Sequence, residues 1–188
     1  MWRRLVIGLL IATLFVGSGL LFASIPTETI IAYVGIERAP LLMFLLGMIG
    51  GMSTFTGIPY HLVLMGLAAG GATPWLLGIA TAAGVMVGDS TTYALSRQAK
   101  QVVSGRLVSW LADVSHVLAR YPRLLTPALV LYGTISPFSN DFVVASLTLM
   151  GISYRRIIIP LTIGNMLYNI ALAYVGYYAY ETIVSFFS

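Results

Sequence analysis

Three ionisable side chains, His61, Asp89 and Asp141, stand in stretches of sequence that are otherwise apolar. A carboxylate in the middle of a membrane helix costs about 2.5–3.5 kcal/mol on insertion scales, so it normally faces a cavity or a partner instead of lipid. Histidine takes up or releases a proton near physiological pH, and it binds phosphate when charged. We therefore predict that these residues line a substrate or proton path. The structural alternatives are that Asp89 joins two helices through a hydrogen bond and that His61 is a satisfied polar residue.

Three asparagines, Asn140, Asn165 and Asn169, are assigned to the same path. Asn140 directly precedes Asp141, and both are residue types that cap helix amino termini, so capping is the simpler interpretation of this pair. Asn165 and Asn169 are one helical turn apart and are expected to face the same interior. Hydrogen bonds between helices explain them without a substrate.

The amino-acid composition indicates which solvent surrounds the chain. Of its 188 residues, 59% are hydrophobic and 9% are charged, and the mean hydropathy is +0.93. Soluble domains carry roughly 25% charged residues, so this chain has too few polar groups to cover a globule in water. A soluble domain is excluded, and we predict a single membrane domain over residues 1–188.

Motifs of catalysis and cofactor binding are missing from the sequence. The chain has no cysteine, which excludes disulfides, Cys-ligated metals and thiol nucleophiles. It also contains no Gly-rich phosphate loop after a strand, no paired-histidine metal helix and no Gly-x-Ser-x-Gly elbow. We expect no cofactor, no metal and no enzymatic activity.

Residues 39–88 form a run of 50 positions without Asp, Glu, Lys or Arg. One crossing needs only about 20 apolar residues, so the run either crosses twice or enters the bilayer, turns and leaves. Its many glycines and its prolines favour the second interpretation, because they interrupt helices. Irregular backbone at membrane depth is tolerated only where it is buried in protein or lines a wet cavity. We predict a re-entrant hairpin at residues 41–72, followed by a spanning helix at 73–96.

The rest of the predicted fold is also helical. Residues 1–24 are expected to form an N-terminal spanning helix, with a cleaved signal peptide as the alternative. Residues 97–123 are basic and carry an apolar stripe at helical spacing, which predicts a cytoplasmic amphipathic linker at the interface or, equally, a solvated loop. Residues 157–180 predict the last spanning helix. A second hairpin, residues 124–150, is expected to be broken at Pro127, Gly133 and Pro137.

Basic residues set the predicted topology. If the amino terminus is cytoplasmic and both hairpins return to the side they entered, nine of the ten Lys and Arg residues lie inside, and the carboxyl terminus lies outside. Arg97, Arg155 and Arg156 then fall at the membrane surface, where we assign them to lipid headgroups or the interface. We predict a multi-pass protein of the cell (plasma or inner) membrane.

Two halves of the chain show the same order of features. Repeat 1 (residues 41–96) and repeat 2 (residues 124–181) each have a hairpin broken by a proline, Pro59 or Pro137, a short turn with glycine, and a spanning helix that contains polar residues. Hairpins entering from opposite faces make the halves inverted repeats. Such an arrangement places a site near the midplane, between discontinuous helices.

The spacing of four residues supports the duplication, with chance similarity as the alternative because glycine and proline are common in such chains. Gly84 and Asp89 in the first half are separated by the same interval as Gly164 and Asn169 in the second. The predicted fold class is therefore an all-α integral membrane protein of two inverted repeats, each a re-entrant helical hairpin plus a spanning helix. An extra N-terminal spanning helix and an amphipathic interfacial helix complete it.

Short motifs in both halves carry a family resemblance. They are GIPYH at residues 57–61, GVMVGDSTTYALSR at 84–97, SPFSND at 136–141, MGISYRR at 150–156 and Gly164-Asn165. In their order and spacing they resemble DedA proteins of the VTT, or SNARE-associated Golgi protein, family. The resemblance implies two re-entrant hairpins and movement of lipids across the bilayer, either polyprenyl-phosphate carriers or phospholipids.

The chain also departs from the family pattern in two places. His61 stands where members often have a glutamate, and the second hairpin offers Thr134, Ser139, Asn140 and Asp141 where many bacterial members place arginines around the proline. The missing arginines weaken the case for a phosphate clamp.

Together these features predict a DedA-type lipid translocator, a flippase or scramblase that moves a headgroup through a midplane polar cavity, with proton coupling left open. We expect membrane lipids as its partners and no binding to nucleic acid. Whether the chain forms a homo-oligomer is left open. One alternative is an ion- or proton-coupled exporter of small solutes. Another is a non-transporting membrane assembly factor that recruits a partner through residues 97–123.

Overall fold

The computed structural model describes residues 35–52, 60–99, 122–136 and 140–187, and within these ranges all regular structure is helical, as predicted. A 3-10 turn at Ile36–Arg38 leads into six α-helices: α1 (Ala39–Met52), α2 (Tyr60–Ala69), α3 (Pro74–Ala99), α4 (Pro122–Ile135), α5 (Asn140–Leu149) and α6 (Tyr154–Phe187). The predicted N-terminal helix, most of the amphipathic linker, Pro59 and Pro137 lie outside the described residues.

Glycines in α1 and α3 do not interrupt these helices, contrary to the expectation for the charge-free run. They allow the two helices to touch instead. A Cβ on Gly47 would lie 2.5 Å from the carbonyl oxygen of Thr81, and one on Gly84 would overlap the carbonyl oxygen of Phe44. Small residues let helix backbones approach closely, so this crossing depends on glycine from both sides.

α4 and α6 cross in the same way. A Cβ on Gly133 would lie 2.9 Å from the carbonyl oxygen of Leu161, and one on Gly164 would overlap the carbonyl oxygen of Val130. The contact residues of α6, Leu161 and Gly164, have the same separation in sequence as those of α3, Thr81 and Gly84. The contact residues of α4 and of α1 match in the same way. The two crossings are therefore built alike.

The short helix α2 and the turn after it have counterparts in the second half, α5 and its turn. The two copies are separated in the sequence by the same distance as Gly84 and Gly164. α2 and α5 are both ten residues long, and both end in a turn with the same three backbone hydrogen bonds. The turn glycines Gly71 and Gly151 have φ angles of 93° and 89°, a conformation that residues with a Cβ rarely adopt. The glycine turn predicted in each half is thus present.

α3 and α6 run antiparallel. Gly78, near the start of α3, packs against Ile170 in α6, whereas Ser90, much further along α3, bonds Tyr154 at the start of α6 with 2.8 Å between their hydroxyl oxygens. The short helices pack across the halves, α2 on α6 and α5 on α3. The carbonyl oxygen of Met65, which would lie 2.5 Å from a Cβ on Gly176, illustrates the first of these contacts.

The second hairpin is less broken than predicted, because α4 runs through Pro127 and Gly133 and ends at Ile135. Pro127 lacks only the N–H that would bond the carbonyl of Arg123, an exposed residue in the first turn, so water can satisfy that carbonyl. Gly133 lies at the crossing with α6. Neither residue therefore needs to end the helix.

One helix among the described residues is long and apolar enough to cross a membrane, the 26-residue segment Tyr154–Ala179 of α6. By length and composition, this helix is compatible with membrane association. Large apolar side chains are also exposed on all six helices. One example from each, in chain order, is Leu41, Leu62, Leu95, Leu131, Phe142 and Ile159.

Candidate functional site

Asp89 is fully buried in the contact between α3 and α5, with 1% of its surface exposed. The Asn140 side chain donates a hydrogen bond from Nδ2 to its Oδ2 atom over 2.9 Å. Its other carboxylate oxygen, Oδ1, has no hydrogen-bond partner among the described residues. Buried carboxylate oxygens are rarely left unpaired, so this atom marks Asp89 as a candidate ligand-binding group.

The position of Asp89 follows from the periodicity of α3. Buried residues recur along this helix at helical spacing, from Leu77 through Thr81 and Val85 to Asp89. This stripe is the face that packs against the other helices, and Asp89 lies toward its carboxyl-terminal end. Gly88, also buried, precedes it and lies close to α1, since a Cβ on Gly51 would be 3.3 Å from the Gly88 Cα. The same pattern that buries apolar residues thus also buries the carboxylate.

A second carboxylate lies beside Asp89. Asp141, in the first turn of α5, accepts a 2.7 Å hydrogen bond from the Thr92 hydroxyl at its Oδ1 atom. An acid in the first turn is also favoured by the helix dipole. Asp89 and Asp141 are close enough for their charges to interact, so two acids from different helices meet at one place.

His61 lies in the first turn of α2 among aromatic rings. Its ring centroid is 3.9 Å from that of Tyr60 and 5.5 Å from that of Tyr168 on α6, which meets it edge-on. Tyr60 in turn is close enough to Asp89 and Tyr168 for electrostatic interaction with both. His61 is therefore linked to the carboxylates through Tyr60.

The two asparagines of α6 are both buried, Asn165 with 8% and Asn169 with 1% of its surface exposed. Asn169 donates a 2.8 Å hydrogen bond from Nδ2 to the backbone carbonyl of Asn165. Asn169 Oδ1 and Asn165 Nδ2 have no partner within the described parts of the chain. An acceptor and a donor are therefore still available on α6.

Of the six residues predicted to line the path, the structure brings three into direct association. They are Asp89, Asn140 and Asp141, which we call the acidic cluster. The arginines assigned to headgroups or the interface are exposed at helix ends instead: Arg97, Arg155 and Arg156. They lie at a common end of the α3 and α6 pair, because the rings of Tyr93 and Tyr154 pack there with centroids 5.3 Å apart.

Three residues of the site were not predicted as site residues: Tyr60, Thr92 and Tyr168. Thr92 stands one helical turn after Asp89, and Tyr60 directly precedes His61, so their spacing was the available signal. Tyr168 offered no such signal, because its contact with His61 joins residues more than a hundred positions apart.

Metal binding has little support in the described ranges, where no three His, Cys, Asp or Glu side chains come together. The five arginines in these ranges are all exposed. What the arrangement offers a ligand is two carboxyl groups from different helices and an unpaired acceptor on Asp89.

Comparison of the whole chain with protein-family models, with curated proteins and with solved structures gave no match. The resemblance to DedA proteins therefore depends on the motifs quoted above and on their order.

Proposed function

We propose that the chain is an integral membrane protein built from two inverted repeats. Three observations support this architecture: the constant offset in residue number that relates α2 and α3 to α5 and α6, the matched glycine crossings, and the matched glycine turns. α3 and α6 hold equivalent positions in the two halves but run antiparallel, so the halves have opposite orientation. Inverted repeats of this kind hold a site near the bilayer midplane.

In this proposal the paired helices α1 with α2 and α4 with α5 are re-entrant hairpins. Their helices have 14 and 10 residues, fewer than the about 20 that one crossing needs. α3 and α6, with 26 and 34 residues, are long enough to cross. The exposed apolar side chains then face lipid, and the amino terminus is cytoplasmic in a multi-pass arrangement.

A cysteine-accessibility scan tests this topology, since the chain has no native cysteine. Cysteines at residues 57–61 should react with an impermeant reagent from outside, and cysteines at 136–141 should react from inside. Labelling of both regions from one side, or of neither, would contradict the two re-entrant hairpins.

The function that this geometry supports best is translocation of lipids. The observation that carries it is the buried Asp89 carboxylate, whose Oδ1 atom lacks a partner among the described residues where α5 of one half meets α3 of the other. A polar site between hairpins lets a headgroup leave water while its acyl chains stay in the surrounding lipid. Ionisable groups inside a membrane segment usually mark such a pathway.

Lipid transfer in proteoliposomes tests this function. The purified chain should exchange fluorescent phospholipids between leaflets, and Asp89→Asn and His61→Ala should each slow the exchange by about tenfold or more, which corresponds to about 1.4 kcal/mol in the barrier. Thr162→Val is the matched control, because the Thr162 hydroxyl bonds the Ile158 carbonyl of its own helix. Unchanged lipid transfer in both site variants would contradict the roles proposed for Asp89 and His61.

A second candidate is export of small cationic solutes. It is favoured by one observation, that the donor to the buried Asp89 carboxylate among the described residues is the neutral Asn140 amide. Uptake of a soluble cation that is driven by a pH gradient, without exchange of labelled lipid, would identify this function.

A further inference from the structure

We infer that the acidic cluster binds an ammonium group on the transported molecule and not its phosphate. The inference rests on the proposed function and specifies the substrate class of that same site. It follows from the two acids of the cluster, from the Asp89 oxygen left without a partner among the described residues and from the neighbouring aromatic rings.

The first argument is electrostatic. Asp89 and Asp141 come from different helices and lie close enough to interact, so the cluster brings two acids together. One carboxylate has stabilising partners, because Asp141 accepts a hydrogen bond from Thr92 and lies at the α5 amino terminus. The donor to Asp89 among the described residues is the neutral Asn140 amide. A cation beside Asp89 would offset the burial of its charge.

The second argument concerns the unpaired acceptor. The Oδ1 atom of Asp89 lacks a hydrogen-bond donor in the described part of the chain, and the side chain is 1% exposed. An ammonium group supplies donors, whereas a phosphate supplies acceptors and would add negative charge.

The third argument compares an ammonium group with a divalent metal ion, which acids also commonly bind. A divalent metal takes several oxygen ligands, and the described ranges hold no group of three acidic or histidine side chains. Tyr60, His61 and Tyr168 provide aromatic rings instead, and Tyr60 lies close to Asp89. Aromatic faces attract ammonium and quaternary ammonium groups. Acids together with aromatic rings thus fit a nitrogen cation better than a metal ion.

An ammonium group reaches the site either on a lipid headgroup or on a soluble amine, so the test has two arms. In the first, proteoliposomes carry acyl-labelled phosphatidylethanolamine or phosphatidylglycerol, which differ in the ammonium group. In the second, the same vesicles are given radiolabelled ethanolamine, whose ammonium group carries N–H donors like that of the lipid. We expect the chain to exchange phosphatidylethanolamine at least about tenfold faster than phosphatidylglycerol, a difference that one charge-assisted contact can supply.

Asp89→Asn is the decisive variant, because it keeps the shape of the side chain and resembles a protonated acid. It should abolish the preference for phosphatidylethanolamine. The double variant Asp89→Asn with Asn140→Asp keeps an acid and an amide in contact and should restore part of it. Glu37→Gln, which removes an exposed carboxylate at the start of the described fold, should leave the preference intact.

The outcomes separate the two proposals. Exchange of both lipids at equal rates, or faster exchange of phosphatidylglycerol, would overturn the ammonium site and leave lipid transport standing. A preference that survives Asp89→Asn would also overturn it. Ethanolamine uptake that depends on Asp89, without lipid exchange, would support the ammonium site and remove the lipid function. If neither lipid nor ethanolamine moves, both proposals fall.

Discussion

The amino-terminal ends of α2 and α5 hold equivalent positions in the two halves but carry different chemistry. α2 begins with Tyr60 and His61, which meet the aromatic ring of Tyr168 on α6. α5 begins with Asn140 and Asp141, which meet acidic and hydroxyl side chains of α3. The backbone of these elements repeats between the halves, so the difference lies in the side chains.

The same asymmetry appears on the long helices, where Asp89 of α3 corresponds to Asn169 of α6. Both are 1% exposed, but the first is an acid and the second an amide that bonds its own helix. Packing is therefore shared by the two halves, whereas only one of these two equivalent positions carries an acid. Substitutions that test packing should act equally in both halves, and substitutions that test charge should act unequally.

The largest effect is expected from the glycine crossings. Gly84→Leu and Gly164→Leu should each lower the free energy of unfolding by about 3 kcal/mol or more, because each new side chain meets the backbone of the crossing helix and overpacks the contact. The two losses should agree within about 1 kcal/mol. Thermal or denaturant unfolding in detergent measures both.

Ala94→Leu serves as the control for this pair, since Ala94 is exposed on the same helix as Gly84 and its replacement should change stability by no more than about 0.5 kcal/mol. A large loss at Gly84 with none at Gly164 would show that the two crossings are not equivalent. The packing half of the comparison would then fail.

The charge half is tested by exchanging acid and amide at the equivalent positions. Without ligand, Asp89→Asn should raise the free energy of unfolding by about 1–2 kcal/mol, because a neutral amide still accepts the Asn140 hydrogen bond and removes a buried charge. Asn169→Asp should lower it by a similar amount, since it places an acid against the Asn165 carbonyl.

These opposite signs would be seen as shifts of the unfolding midpoint in opposite directions. A loss of stability in both variants would mean that Asp89 joins helices as a structural residue, which is the alternative raised from the sequence. Both variants can be studied in the same detergent as the glycine pair.

A third test concerns Asp141. Thr92→Val removes the donor to its carboxylate and keeps the shape of the side chain, so stability should fall by about 1.5 kcal/mol, as expected for a hydrogen bond to a charged group. The equivalent position in α6 is Leu172, and Leu172→Val should cost less, about 0.5–1 kcal/mol of packing. Unfolding curves of the two variants make the comparison, and an equal or larger loss at Leu172 would remove the special role of Thr92.

The sequence predicted the helical class and the glycine turns well, because apolar runs and turn glycines are local signals. The equivalence of Gly84 with Gly164 was also visible, since a constant offset between two halves can be counted in the sequence. The sequence did not reveal that Gly47 and Gly133 pack at crossings. A glycine that breaks a helix and one that admits a neighbouring helix look the same until the neighbour is known.

The site was predictable only in part for a similar reason. Asp89, Asn140 and Asp141 were singled out because polar residues are conspicuous in apolar sequence. That Asn140 bonds Asp89 depends on contact between residues 51 positions apart, which no local pattern encodes. Tyr168 was missed because an aromatic residue in an apolar helix has many ordinary uses.

The smallest effect is expected at the exposed hydrogen bond that joins α3 to the start of α6. Ser90 and Tyr154 share a 2.8 Å hydrogen bond that is exposed, so Ser90→Ala and Tyr154→Phe should each cost no more than about 0.5–1 kcal/mol. A double-mutant cycle should give a coupling of about 0.5 kcal/mol, since each variant removes the same bond. Ser90 also donates a hydrogen bond to the Met86 carbonyl of its own helix. Tyr154→Phe leaves that bond intact, so this variant measures the Ser90–Tyr154 bond alone. Because this contact defines the antiparallel orientation of α3 and α6, zero coupling would remove one of the two contacts from which the inverted repeats are inferred.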